Sequence, residues 1–101
     1  MLSFNLATPG EISRELGARV RHHRLTRSLS QRELAARAGI SVPSLRNIER
    51  EGQATLDAFI RVLMALGMSE QLAPLLDTRA TSLKSMEQAS KPRQRAPRKR
   101  P

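Results

Sequence analysis

One glycine constrains this chain more than any other residue. Gly39 closes the run SQRELAARA, Ser30 to Ala38, which carries the marks of a single short helix. Ser30 stands three residues before Glu33, the spacing of a capping box. In that motif the hydroxyl accepts from a free helix N–H, while the carboxylate reaches back to the cap's own N–H. Leu34, Ala35 and Ala38 then share one face. A glycine straight after such a run lets the chain leave through a left-handed conformation that residues with a Cβ adopt only at a cost. Ile40 plugs the bend, Ser41 caps again, and Leu45 and Ile48 aim a second short helix at the same core.

Two helices crossing after a turn of three or four residues form a helix-turn-helix, whose second helix enters the DNA major groove. With Leu45 and Ile48 inward, the opposite stripe is Pro43, Arg46, Asn47 and Arg50, and Val42 and Ser44 flank its N-terminal end. A guanidinium spans the two acceptors of guanine, and a carboxamide matches the donor–acceptor pair of adenine. Val42 and Pro43 suit thymine methyl groups. Any solvated helix face carries similar side chains, so the weight of this stripe comes from its place after the glycine bend.

The ordered series LGARVRHHR, LSQRELAARAGIS, LRNIE and TLDAFIRVLMALG resembles the Xre/Cro family of phage-repressor-type regulators, from about Leu16 to Leu66. The resemblance implies an all-α, five-helix phage-repressor-like bundle, and dimers that bind pseudo-palindromic operators in double-stranded DNA. It assigns base reading to the Val42–Arg50 helix and a backbone or outer-base contact to Gln31. The implied DNA-binding set is thus Gln31, Ser41, Val42, Pro43, Ser44, Arg46, Asn47 and Arg50. It also implies a partly buried ion pair, Arg24 with Glu49, tying the first helix to the third. Such a pair fixes geometry more than it adds stability.

Two departures from the family pattern stand out. The loop Glu51-Gly52-Gln53-Ala54 is acidic where relatives carry Lys or Arg. Contact with the DNA backbone then falls to the N-terminus of helix four around Thr55–Asp57, to Arg50, or to the C-terminal tail. Asp57 counts against a phosphate at the first of these. Pro43 is tolerated in a first helical turn, where its missing N–H has no intrahelical partner. It replaces a polar side chain used in relatives and shifts the reading burden to Arg46 and Asn47.

Within the family the likeness is strongest to HipB-type antitoxins, which repress their own operon as dimers and hold a HipA-like kinase partner. A stand-alone autoregulator explains the same residues. The expected function is a sequence-specific, dimeric transcriptional repressor or autoregulator, alone or as such an antitoxin. The reading of a different class is a protein-interaction adaptor whose basic tail touches nucleic acid loosely.

Charge separates body from tail. The 101-residue chain carries a formal net charge of +9, so polyanions are the expected partners. Residues 1–77 hold ten Lys/Arg against eight Asp/Glu, and residues 78–101 hold eight against one. The end, KPRQRAPRKRP, has too little apolar surface to order itself and reads as disordered. Its Lys91, Arg93, Arg95, Arg98, Lys99 and Arg100 are candidates for non-specific phosphate contacts, or for a tail that only solubilises. The expected organisation is an N-terminal arm at 1–10, one helix-turn-helix domain at 11–77 and the basic tail at 78–101.

Other elements follow from periodicity. Leu2, Phe4 and Leu6 alternate, as in a short strand, an extended arm or a frayed terminus. Helix one is expected over Glu11–Arg27 with Ile12, Leu16 and Val20 inward. Helix four is expected over Leu56–Leu66 with Phe59, Ile60, Leu63 and Leu66 as core, and a last helix over about Glu70–Leu76, strained by Pro74. Met68, Leu72, Leu75 and Leu76 are candidates for a homodimer surface, or for completing the monomer core.

Absent chemistry narrows the field. There is no cysteine, hence no disulfide, thiol nucleophile or cysteine-bound zinc. His22 and His23 diverge by about 100 degrees on a helix and cannot converge on one ion; relatives often place leucine at the turn His23 occupies, so the resemblance implies that His23 packs half-buried. No nucleophile–base pair, phosphate loop or carboxylate dyad is present, and neither enzyme activity nor a metal or cofactor is expected. No apolar run approaches the roughly 20 residues that span a bilayer. The opening MLSFNLATPGE lacks the basic region of a secretory signal, so a cytoplasmic location is expected.

Overall fold

The computed structural model describes residues 2–79. Close contacts divide the chain between Ser69 and Glu70. The first unit is built on four α-helices: α1 (Pro9–Thr26), α2 (Gln31–Ala38), α3 (Val42–Glu51) and α4 (Leu56–Ala65).

Each helix starts on a short-range side-chain bond. Ser30 and Glu33 form the expected capping box on α2, Ser41 accepts from the Ser44 N–H on α3, and Thr55 accepts from the Ala58 N–H on α4. A second capping box, Thr8 with Glu11, opens α1 and sets its start at Pro9. Gly39 ends α2 at φ 72, in the left-handed region as expected. These bonds satisfy N–H groups that the helix leaves without partners.

The core comprises Val20, Leu29, Leu34, Ala35, Ala38, Leu45, Ile48, Val62 and Leu66. Leu34, Leu45 and Val62 are fully buried, and burying each stabilises the fold by about 1.5–3 kcal/mol over exposure. α1 packs on α3, and α2 packs on both α3 and α4.

Three expectations are corrected. Phe4–Leu6 form a 3-10 turn rather than a strand, because alternation over so few residues also fits a turn. On α4 the inward stripe is Ala58, Phe59, Val62, Ala65 and Leu66, so Ile60 and Leu63 lie outside the core. In place of a fifth α-helix, Ser69–Leu72 is a 3-10 turn, followed by Leu75 N–H to Leu72 and Asp77 N–H to Pro74 carbonyl bonds. Pro74 has no N–H to donate and disfavours a helical Ala73 before it. Of the two readings of the Met68–Leu76 segment, Met68 follows the one that completes the monomer core, against which it packs. The described part of the second unit carries exposed Leu75 and Leu76, the latter at φ 56. The basic tail and its six candidate phosphate contacts lie outside the described residues.

Candidate nucleic-acid interface

The back of α3 is locked by one carboxylate. Arg24 donates from Nε to Glu49 Oε2 at 2.7 Å and from Nη2 to Oε1 at 3.0 Å. Its remaining Nη1 donates to the Leu29 carbonyl at 2.8 Å, so the α1–α2 link is tied to the same group. Gln31, opening α2, donates its amide to Glu49 Oε1 at 3.2 Å. The Glu49 side chain is wholly buried and that of Arg24 nearly so. Hydrogen bonding to the Glu49 carboxylate holds the Arg24 pKa above its ordinary value, opposed by burial and helped by the pair's attraction. A forked, two-bond guanidinium–carboxylate pair holds angle as well as distance.

Two glycines bring α1 and α3 together. A Cβ on Gly17 would overlap the Ile48 carbonyl and stand 3.3 Å from the Gly52 Cα. Gly52 ends α3 at φ 69, and a Cβ there would overlap the Ser13 carbonyl. Backbone thus meets backbone, and α3 has little freedom to roll on α1. Sequence reasoning missed Gly17; the usable signal was a glycine inside a helix, which costs about 1 kcal/mol against Ala and calls for a packing reason.

The front of α3 is open. Pro43, Arg46, Asn47 and Arg50 are all exposed on the side away from Leu45, Ile48 and Glu49. The side chains of Arg46, Asn47 and Arg50 make no hydrogen bond or ion pair among the described residues. Four of the expected contact residues stand differently. Ser41 and Ser44 are exposed, but the Ser41 hydroxyl caps the helix and donates to Ser44 Oγ at 2.8 Å. Val42 packs against the core, and Gln31 is half-buried with its amide on Glu49.

Beside this face, Glu51 is the last residue of α3, and Gln53 and Ala54 link it to the Thr55 cap. The Asp57 carboxylate in the first turn of α4 accepts from Arg61 Nε at 2.7 Å, a pair that offsets its charge. His23 is half-buried near Arg27, its ring Nδ1 3.3 Å from Nη1. No group of three metal-binding side chains occurs among the described residues, and no described helix is long and apolar enough to cross a membrane.

Two short capped helices crossing at a left-handed glycine, the second presenting unpaired Arg and Asn side chains, define a helix-turn-helix DNA-binding protein. The comparison with protein families agrees: the helix-turn-helix domain family matches residues 15–76, and the chain belongs to it. Membership in this family marks a DNA-binding regulator, with DNA as its partner. No curated protein sequence matches the chain.

Proposed function

We propose that the chain is a sequence-specific transcriptional repressor of the Xre type that acts as a dimer on a pseudo-palindromic operator and regulates its own expression. The observation that carries this reading is the asymmetry of α3: a locked rear, Arg24 with Glu49, and an unengaged front, Arg46 with Asn47. A rigid helix with free donors meets a base edge without first breaking internal bonds, which lowers the ordering cost of binding. Arg46 and Asn47 read bases, Pro43 lies against a thymine methyl, and Arg50 meets a phosphate. Gln31, Ser41 and Ser44 serve at the edge of the contact, and Val42 supports the helix from within. The basic residues from Lys91 to Arg100 add sequence-independent attraction.

The test is a selection of preferred DNA followed by titration against matched and scrambled duplexes. Arg46→Ala and Asn47→Ala each lose about 1–3 kcal/mol of discrimination with the fold intact. An unchanged preference in both variants removes the assignment of α3 as the reading helix. The likeness to HipB-type antitoxins extends the proposal to a HipA-like kinase encoded beside this chain. Co-expression of the two tests it, and a kinase that never co-elutes leaves the repressor alone.

A further inference from the structure

α2 and α3 form a V whose vertex is the bend at Gly39, Ile40 and Ser41. Gln31 opens α2 and Glu49 lies in the last turn of α3, so both stand at the far ends of the arms. Each is roughly 10 Å along its own helix from the bend. The core residues on the two arms are apolar: Leu34, Ala35 and Ala38 on α2, Leu45 and Ile48 on α3. Apolar contact is non-directional. It holds the arms together and leaves the angle between them weakly defined.

One directional bond crosses the open end. The Gln31 amide donates to Glu49 Oε1 at 3.2 Å. Among the described residues no other side-chain hydrogen bond or ion pair joins α2 to α3. Its sense is forced, because an ionised carboxylate only accepts and the amide must turn its nitrogen inward. Glu49 is itself immobilised. Its side chain is wholly buried and Arg24 grips both oxygens, at 2.7 and 3.0 Å. The same guanidinium holds the Leu29 carbonyl in the α1–α2 link, so Gln31 is the donor that α2 itself contributes. A slip of about 1 Å at this distance from the bend turns a helix by about 6 degrees. It also exceeds the roughly 0.5 Å within which a binding group has to be held.

We propose that Gln31 is a positioning residue for base reading: through Glu49 it sets the angle at which α3 leaves the bend, so that Arg46 and Asn47 meet their bases together. The proposal rests on α3 as the reading helix and deepens it, for the edge role given to Gln31 above is then exercised through Glu49. It differs from the direct backbone or base contact that the resemblance implies.

Gln31→Met keeps the reach of the side chain and removes its donor. In the full chain its affinity for the matched duplex falls about tenfold, the scale of one lost charge-assisted hydrogen bond, while affinity for the scrambled duplex holds. The lost preference spreads over the base pairs that Arg46→Ala and Asn47→Ala affect. In an Arg46→Ala/Asn47→Ala background the same change costs no further selectivity, because its effect runs through those two side chains. An equal loss on both duplexes signals a phosphate contact and overturns the proposal. So does a loss confined to one base pair outside that set, which makes Gln31 a reader in its own right, and so does an undiminished preference.

Hydrogen exchange without DNA supplies a separate readout. Gln31→Met speeds exchange along α3 by about tenfold and leaves α4 unchanged; an α3 that exchanges as in the wild type overturns the proposal. Where Gln31→Met fails to fold, the wild-type side-chain amide decides. Bonded to Glu49, its protons exchange slowly in the free and the operator-bound chain alike, and their release on binding overturns the proposal. A chain that selects no duplex, yet shows the exchange response, would sink α3 as the reading helix and leave the tie between α2 and α3 standing.

Discussion

The Cα of Gly17 lies so close to the Ile48 carbonyl that no side chain fits between them. α1 and α3 therefore touch through backbone, and the position of the reading helix depends on a missing methyl group. In an ordinary helix interior, Gly→Ala stabilises by about 0.5–1 kcal/mol. Here the overlap reverses the sign, and Gly17→Ala is expected to destabilise by about 1–3 kcal/mol through forced displacement. Gly10→Ala is the internal control, because its Cβ would meet only the mobile end of Arg14, at 3.7 Å. Chemical denaturation of the two variants checks the pair: a Gly17→Ala midpoint at or above the wild type refutes the close approach.

Removing one partner of Arg24–Glu49 strands the other in the interior. Arg24→Met leaves the buried Glu49 carboxylate with only the Gln31 amide, and a cost of about 3–5 kcal/mol follows. The double variant Arg24→Met/Glu49→Leu restores much of this, since an apolar pair of similar volume needs no solvation, though the Leu29 carbonyl still lacks a donor. Stability that falls additively across the cycle would show that the pair acts as two separate charges. Because the Arg24 pKa is raised, its contribution is complete below the ordinary arginine value and fades only as pH climbs past the elevated one. A decline in stability between neutral pH and 10 therefore belongs to other groups.

Much of this site was legible because its determinants are short-range. The caps at Ser30, Ser41 and Thr55 each bind an N–H three residues away, and Gly39 announces its own conformation. The direction of α3 followed from Leu45 and Ile48, whose neighbours are polar. α4 was not legible in the same way. With Leu56, Phe59, Ile60, Val62, Leu63 and Met64 in α4 and Leu66 at its end, Asp57 and Arg61 mark only a narrow polar flank, and tertiary packing selects Val62 over Ile60. The Gly17–Gly52 approach joins distant residues that carry no hydrophobic signature at all. The engagement of Gln31 by Glu49 likewise depends on where three helix ends converge, which spacing along the chain does not reveal.

The capping box of α2 makes acid stability depend on Glu33. The Ser30 N–H donates to its carboxylate at 2.8 Å, and together with the Ser30 hydroxyl and nearby Arg37 this holds the Glu33 pKa below its ordinary value of 4.5. A carboxylate with a lowered folded-state pKa contributes fully above its unfolded value and loses that contribution as pH falls through the lowered one. Stability is thus expected to drop as pH falls below about 4.5, and Glu33→Gln flattens that part of the profile. An acid limb as steep in Glu33→Gln as in the wild type assigns the effect to other carboxylates.

Salt dependence separates the two kinds of cation proposed to meet DNA. Each phosphate neutralised steepens the fall of log affinity with log salt by about 0.9. Arg50 is exposed at the end of α3 with no partner among the described residues, so Arg50→Ala should flatten the slope by about one such unit and weaken matched and scrambled duplexes alike. Deleting residues 91–101 removes six basic residues and flattens the slope further, again without regard to sequence. The two changes should add where each group neutralises phosphates of its own. A loss on the tail deletion that is confined to the matched duplex would mean that the tail reads bases, and the division of labour between α3 and the tail would have to be redrawn.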